Sequence, residues 1–259
     1  MRPNWSLSFK IFENYINQKS WKDLSLPLWQ AHRGNCIRDT DASMPMENSL
    51  EALVRAISRG APMAEVDLRR GPLGPILAHD EPSKQQTQGG QDFRQGLQLV
   101  GAPSLREILR NNQIPETLNL ELKSIPRSFS EVGYFEAEVL QLLMSCPVPR
   151  KYLISSFDPR ILAAVAMLAP QFPRAFIYGR QSSRAIVDPM YFLALAQPDL
   201  FHFEEEFLKA PGNSHWMAAL KKRHVPYAVW TVNEAESARK WLSLGALSVI
   251  SDRDLSQLL

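Results

Sequence analysis

The chain has 259 residues, 45% of them hydrophobic, and this length suits one catalytic domain with a full-sized core. Its 29 Lys and Arg residues nearly balance its 27 Asp and Glu residues, which excludes attraction of nucleic acid or an anionic bilayer by a large net charge. The two cysteines, Cys36 and Cys146, form no CxxC pattern, which argues against a disulfide framework or a zinc knuckle and favours a reducing cytoplasm.

The first 27 residues form an extension ahead of the repeating part of the chain. They contain no apolar h-region and no small-residue cleavage site, and no run of about 18 apolar residues occurs, so we predict neither secretion nor a membrane span. Helical spacing places one apolar stripe on this segment, formed by Trp5, Phe9, Phe12 and Ile16. Because aromatic stripes usually belong to cores, we expect a helix that plugs the bottom of the barrel described next. Docking to a membrane surface or a dimer contact are the alternatives.

From Leu28 onward, short runs of apolar, β-branched and aromatic residues alternate with longer segments of helical periodicity. This alternation is typical of repeated βα units, and it predicts a (β/α)8 TIM barrel domain over residues 28–259. An open doubly wound sheet would alternate in the same way, but no GxGxxG or P-loop motif supports it. The predicted strands cover residues 28–34, 63–69, 117–123, 152–157, 174–179, 200–204, 226–232 and 247–252.

Local signals refine this pattern. The segment GPLGP (71–75) can turn the chain back, so that ILAHD forms a short extra hairpin strand and returns His79 toward the second strand. Residues 81–101 are polar and rich in Gln and Gly, which predicts a mobile loop leaving the active face. Asp158-Pro159 and Pro103-Ser104 predict helix starts, since Asp and Ser are good N-caps and Pro suits the first turn.

Acidic side chains interrupt the second and third strands near their carboxyl ends, where barrels carry their active sites. Glu65 and Asp67 are two residues apart and therefore face the same side of their strand, as do Glu121 and Lys123 on the next. Three carboxylates at one place would repel each other, whereas a hard divalent cation would satisfy them with oxygen ligands. We therefore predict a Mg²⁺ or Ca²⁺ site. An internal ion-pair cluster without metal is the alternative.

Two of the five histidines stand at predicted strand ends, His32 in QAHRG and His79 in ILAHD. Imidazole titrates near neutral pH, so two histidines beside a metal-bound phosphate suit general acid and base catalysis, although a single strand histidine is more often structural. Arg33 and Lys123 would bind phosphate oxygens. We interpret the remaining histidines as packing or surface residues: His202, His215 and His224.

In chain order, the motifs HRG, MENSLEAL, EVD, AHD, LELK, SSFDP, VWTVNE and VISD resemble those of glycerophosphodiester phosphodiesterases along nearly the whole chain after the extension. The resemblance implies that His32 and His79 are the acid/base pair. The metal-binding acids it implies are Glu65, Asp67 and Glu121, and the phosphate ligands are Arg33 and Lys123. The further residues it implies are Glu47 near the metal or in the loop after the first strand, Trp230 in the pocket wall, and Asn233 and Asp252 as supporting polar residues.

The activity implied by the resemblance is metal-dependent cleavage of glycerophosphodiesters into an alcohol and glycerol phosphate. A lysophospholipase D or sphingomyelinase D-like enzyme acting on lipid phosphodiesters is one alternative, which the aromatic N-terminal stripe and the short loops would favour. A catalytically inactive phosphate-binding protein is the other. The expected partner is a small-molecule or lysolipid phosphodiester, with no nucleic acid and with membrane contact only at the periphery. Outside the family pattern, residues 204–206 predict a helix N-terminus, a second cation site or a filter against bulky anions.

Overall fold

A closed parallel barrel forms the centre of the protein in a computed structural model, which describes residues 5–21, 24–43, 45–79, 102–123, 131–182 and 188–256. The strands are β1 (Trp29–Ala31), β2 (Met63–Gly71), β3 (Gly74–Leu77), β4 (Thr117–Leu122), β5 (Lys151–Ser156), β6 (Arg174–Tyr178), β7 (Leu200–Glu204), β8 (Tyr227–Trp230) and β9 (Ser248–Ser251). Around the barrel they run in the order β1-β9-β8-β7-β6-β5-β4-β2, and β1 pairs with β2 to close it. The predicted (β/α)8 barrel is confirmed.

Helices surround the barrel and connect most of its strands. They are α1 (Trp5–Gln18), α2 (Leu50–Ser58), α3 (Leu105–Arg110), α4 (Tyr134–Met144), α5 (Pro159–Leu168), α6 (Leu193–Ala196), α7 (Glu205–Lys209), α8 (Ser214–Lys222) and α9 (Ala235–Ser243). Both predicted helix starts are confirmed: Asp158 accepts a hydrogen bond from the Arg160 backbone N–H with Pro159 in the first turn, and Ser104 forms a capping box with Glu107. Among the described helices, none combines the length and the apolar character that a bilayer span requires.

Successive side chains along each strand point alternately into and out of the barrel, so the core has an inner and an outer part. Inside the barrel, Gln30, Asn119, Ser155 and Ser248 form one hydrogen-bonded polar layer. Nearer the amino ends of the strands, the inward side chains are apolar: Met63, Leu153, Ala175 and Leu200. Leu24 and Leu26 pack against this apolar layer from below. The bottom of the barrel is therefore closed by the segment that follows α1.

Helix α1 packs on the outer wall of the barrel, so the prediction that this helix plugs the bottom is wrong. Phe12 is fully buried against the outward-facing rings of Phe201 and Phe203 on β7 and against Trp216 on α8. Between β6 and β7 the described chain has only the four-residue α6 and one 3-10 turn, and α1 contacts both. A helix from outside the repeat thus covers the part of the wall that α6 is too short to cover. The Trp5 side chain lies outside the described residues.

The β2–β3 hairpin and the turn after β1 determine where the chain carries His79 and His32. Strand β3 pairs antiparallel with β2, from Gly71 opposite Gly74 to Leu68 opposite Leu77, which confirms the extra hairpin strand. Strand β1 ends at Ala31, earlier than predicted, because Arg33 and Gly34 have positive φ angles of 54° and 74° and turn the chain out of the extended conformation. The loop predicted at residues 81–101 lies outside the described residues.

Candidate active site

Three buried carboxylates meet at the carboxyl ends of two neighbouring strands. Glu65 and Asp67 project from β2 and Glu121 from β4, where Asp67 and Glu121 are register partners. One oxygen of each carboxylate lies within 4.8 Å of the others, and all three residues are at most 8% exposed. The two-residue spacing of Glu65 and Asp67 on β2, together with the pairing of β4 with β2, therefore brings all three acids together.

The oxygen atoms of this cluster fit a hard divalent cation. Glu65 Oε1 is buried and has no hydrogen-bond partner among the described residues, while Glu65 Oε2 accepts a hydrogen bond from the Arg33 backbone N–H at 2.9 Å. A buried carboxylate oxygen without a donor is costly unless a cation contacts it. Carboxylate oxygens close enough to share one ion are the ligands that Mg²⁺ and Ca²⁺ prefer. The residues present thus fit a divalent metal.

The three carboxyl groups of the cluster differ in the direction of their pKa shifts. Burial, and then the neighbouring Asp67 and Glu121, raises the pKa of Glu65 well above its ordinary value. Burial also raises the pKa of Glu121 to about 7 against the opposing effect of Lys123. For Asp67, burial is outweighed by the hydrogen bond from His79 and by the charges of Lys123 and Arg33, so its pKa is lowered. Lys123 Nζ contacts Asp67 Oδ1 at 2.8 Å and Glu121 Oε1 at 3.4 Å, so one lysine partly neutralises the cluster.

His32 stands at one side of the cluster and is oriented by a carboxylate. Its Nδ1 donates to Asp252 Oδ1 at 2.8 Å, and its Nε2 lies 3.9 Å from Glu65 Oε2. Burial alone would raise the pKa of Asp252, but hydrogen bonds from His32, Asn233 and Asn35 outweigh burial and lower the pKa to about 2. An ionised Asp252 fixes the proton on Nδ1 and leaves the Nε2 lone pair facing the cluster.

His79 stands on the other side, at the end of the hairpin. Its Nδ1 lies 3.0 Å from Asp67 Oδ2 and 2.9 Å from Lys123 Nζ, and its Nε2 lies 3.2 Å from Arg33 Nη2. Because Arg33 Nη2 can only donate, His79 Nε2 accepts from it in this arrangement, and Nδ1–H donates to the Asp67 carboxylate. The two histidines predicted from the sequence therefore lie beside the same carboxylate cluster, His32 next to Glu65 and His79 next to Asp67.

Arg33 is held by the residues that follow the first strand. Its Nη1 donates to both carboxylate oxygens of Glu47, at 2.9 and 3.0 Å, and its Nε lies 3.3 Å from Asp67 Oδ2. Asn48 donates from Nδ2 to Asp67 Oδ2 at 2.9 Å and accepts at Oδ1 from the Asp67 backbone N–H at 2.8 Å. Sequence reasoning missed Asn48, although its place between Glu47 and Ser49 in MENSLEAL was the available signal.

Aromatic side chains border the opposite part of the mouth. The rings of Phe157, after β5, and Trp230, at the end of β8, meet edge to face with centroids 5.7 Å apart. Since β5 and β8 are not neighbouring strands, this contact reaches across the mouth.

The remaining polar residues singled out from the sequence have structural contacts. Glu204 pairs with Arg180 at 2.7 Å, and Glu205 begins α7, which agrees with the helix-start interpretation of residues 204–206. His202 is buried inside the barrel and His215 packs on Phe9, as expected for packing residues.

Comparison with known proteins assigns this constellation to a family. The model of the glycerophosphoryl diester phosphodiesterase family matches residues 32–254, from the first histidine of the site to just beyond Asp252. The chain belongs to this family. It is accordingly a phosphodiester hydrolase, and the family resemblance read from the sequence motifs is confirmed.

Two solved structures of phosphodiesterases have the same fold. A phosphodiesterase from Oleispira antarctica, in complex with the product sn-glycerol-3-phosphate, is 22% identical with a TM-score of 0.69, over 89% of this chain and 95% of the other. The glycerophosphodiester phosphodiesterase from Thermotoga maritima is 18% identical with a TM-score of 0.63, over 91% and 99%. Among proteins with curated descriptions, none matches this chain significantly.

Proposed function

We propose that this protein is a divalent-cation-dependent glycerophosphodiester phosphodiesterase that uses His32 and His79 as its acid/base pair. One observation carries the proposal: the two imidazoles flank a buried three-carboxylate cluster, His32 Nε2 at 3.9 Å from Glu65 and His79 Nδ1 at 3.0 Å from Asp67. Glu65, Asp67 and Glu121 would hold Mg²⁺ or Ca²⁺. The bound cation would supply a Lewis acid that polarises a phosphodiester oxygen.

His32 is the general base in this proposal. Its Nε2 takes the proton of the attacking hydroxyl, which by family analogy is the neighbouring hydroxyl of the substrate's glycerol, and a new O–P bond forms to give a cyclic phosphate. Asp252 supports this role because its carboxylate holds the Nδ1 proton at 2.8 Å and stabilises the imidazolium that results.

His79 is the general acid. In this step Arg33 turns its Nη2 from His79 Nε2 to the phosphate, and the ring is protonated at Nε2. The Nε2–H then gives its proton to the oxygen of the departing alcohol as the P–O bond to that oxygen breaks, while Asp67 accepts from Nδ1–H. Water then opens the cyclic phosphate with the two histidines in exchanged roles, so that glycerol phosphate and the free alcohol are the products. Arg33 and Lys123 bind the phosphate oxygens, Glu47 holds Arg33 in place, and Trp230 with Phe157 packs against the alcohol.

The proposal is tested with His32→Ala and His79→Ala on a panel of glycerophosphodiesters with Mg²⁺ and with Ca²⁺. Each substitution should lower kcat by about 100-fold to 10,000-fold, because each removes one proton-transfer group, and chelation should abolish the activity of the parent enzyme. His215→Ala, on α8 against Phe9, is the matched control and should keep the parent rate. Near-normal turnover by either site variant would refute the two-histidine mechanism.

Part of the aromatic stripe, one of the two features that favoured the lipid-directed alternative, is buried. The aromatic N-terminal stripe buries Phe12 and Ile16 completely in the core of the protein, so these side chains are not available to a membrane or to a lipid substrate. Comparing release of the alcohol from water-soluble diesters and from lysolipids tests the preference directly. Activity on lysolipids alone would reverse it.

A further inference from the structure

We propose that Arg69 is a positioning residue that holds the backbone of the general acid His79 against the end of β4, a role that rests on the function proposed above. Arg69 lies two residues beyond Asp67 on β2 and therefore points to the same side of the strand as Glu65 and Asp67. Strand β2 would thus supply two ligands of the metal and the residue that positions the general acid.

The Arg69 guanidinium bridges two segments that are far apart in sequence. Its Nε donates to the His79 backbone carbonyl at 2.9 Å, and its Nη1 donates to the Lys123 backbone carbonyl at 3.4 Å. The fixed geometry of the guanidinium lets one side chain set the distance between both carbonyls. Arg69 thereby couples the end of the hairpin to the end of β4.

The His79 and Lys123 carbonyls lie just beyond the last described backbone hydrogen bonds that join β2 to the hairpin and to β4. Ala78 N–H donates to the Asp67 carbonyl at 3.0 Å, and Lys123 N–H donates to the Leu68 carbonyl, also at 3.0 Å. Beyond these bonds, the described contact that ties each carbonyl to β2 is the one made by Arg69. The backbone positions of His79 and Lys123 therefore depend on a side chain at the point where sheet pairing ends.

Loss of the Arg69 contacts should affect proton donation by His79 most. Because a misplacement of about 1 Å can cost about 100-fold in rate, releasing the His79 carbonyl should impair protonation of the departing alcohol more than substrate binding. Arg69 makes no described contact with Glu65 or Glu121, so cation binding should stay within about threefold of the parent value.

The experiment compares Arg69→Gln and Arg69→Lys with Arg70→Gln as the matched control, since Arg70 is the neighbouring arginine and lies over the Phe135 ring on the other side of β2. Each variant is assayed with Mg²⁺ on glycerophosphoethanolamine and on the 4-nitrophenyl ester of glycerol phosphate. The nitrophenolate leaves without an acid, whereas the alkyl alcohol needs one. His79→Ala is the reference for loss of the acid.

We expect kcat of Arg69→Gln to fall about 10-fold to 100-fold on the ethanolamine ester and by less than about threefold on the nitrophenyl ester. Arg69→Lys should recover part of the loss, because its ammonium can reach one carbonyl. Equal losses on both esters, or an unchanged kcat, would overturn the positioning role. If the parent hydrolyses neither ester, the proposed function itself fails; if His79→Ala shows no leaving-group dependence, the acid assignment fails and the Arg69 role with it.

Discussion

Asp252 and His32 form a contact between distant residues that, in the proposed mechanism, sets the direction of proton transfer. They are separated by 220 positions, yet His32 Nδ1 lies 2.8 Å from Asp252 Oδ1 because β1 and β9 are neighbours in the barrel. The carboxylate also accepts from Asn35 and Asn233, so its position does not depend on His32 alone. At the residue scale, the proposed mechanism depends on Asp252 fixing which ring nitrogen of His32 carries the proton.

Asp252→Asn should lower kcat by about 100-fold or more while leaving cation binding within about threefold of the parent value. The amide would donate to Nδ1 and move the ring proton to Nε2, which removes the lone pair that the base needs. Steady-state kinetics together with calorimetric Mg²⁺ titration checks both expectations. Asp254→Asn is the matched control, since Asp254 pairs with Arg38 and has no described contact with His32; a parent-like kcat for Asp252→Asn would contradict the orienting role.

Helix α1 illustrates a division of labour between elements. The carboxyl ends of β1, β2, β4 and β9 carry the polar site, whereas α1 packs on outward residues of β7 and on α8. Its burial against Phe201, Phe203 and Trp216 completes the wall beside the short α6. The helix therefore contributes to stability and not to the chemistry of the mouth.

Phe12→Ala should reduce the free energy of unfolding by about 3 to 5 kcal/mol, because it leaves a cavity among large rings. At a temperature where the variant is still folded, its kcat should equal that of the parent. Urea unfolding and steady-state kinetics measure the two quantities. Glu13→Ala, at the exposed neighbouring position of the same helix, should change neither. A large fall in kcat without a loss of stability would show that α1 acts on the site.

At the scale of the whole molecule, the barrel interior places polar groups between apolar ones. His202 points inward from β7, is 1% exposed, and its Nε2 has no hydrogen-bond partner among the described residues. Burial lowers the pKa of His202 from 6.5 to about 3. Between these two pH values the unfolded chain binds a proton at this histidine that the native protein does not bind, so stability falls as pH decreases below 6.5.

His202→Gln should therefore lose less stability than the parent between pH 6.5 and pH 4.5. Over this window the parent loses about 2 kcal/mol through His202, at a rate that approaches about 1.4 kcal/mol per pH unit, and the variant loses nothing at that position. Urea unfolding in the presence of a chelator, at several pH values, gives the difference, and the acidic groups common to both proteins cancel. His215→Gln is the control; identical pH slopes for parent and His202→Gln would contradict a buried neutral histidine.

The sequence by itself determined the barrel, the hairpin and the residue types of the site. Alternating apolar runs are set by local periodicity, and the spacing of Glu65 with Asp67 depends only on strand geometry, so both could be read without a structure. The roles that the sequence assigned to His32, His79 and Arg33 remain proposals, supported by their positions around the carboxylates.

Only the tertiary structure decided which distant groups meet. The location of α1 on the wall and the closure of the bottom by Leu24 and Leu26 could not be predicted from the sequence. The physical reason is that these contacts follow from closing eight strands into a ring and from the short α6 that leaves part of the wall uncovered. Local periodicity records which face of an element is apolar, but it does not record what that face will meet.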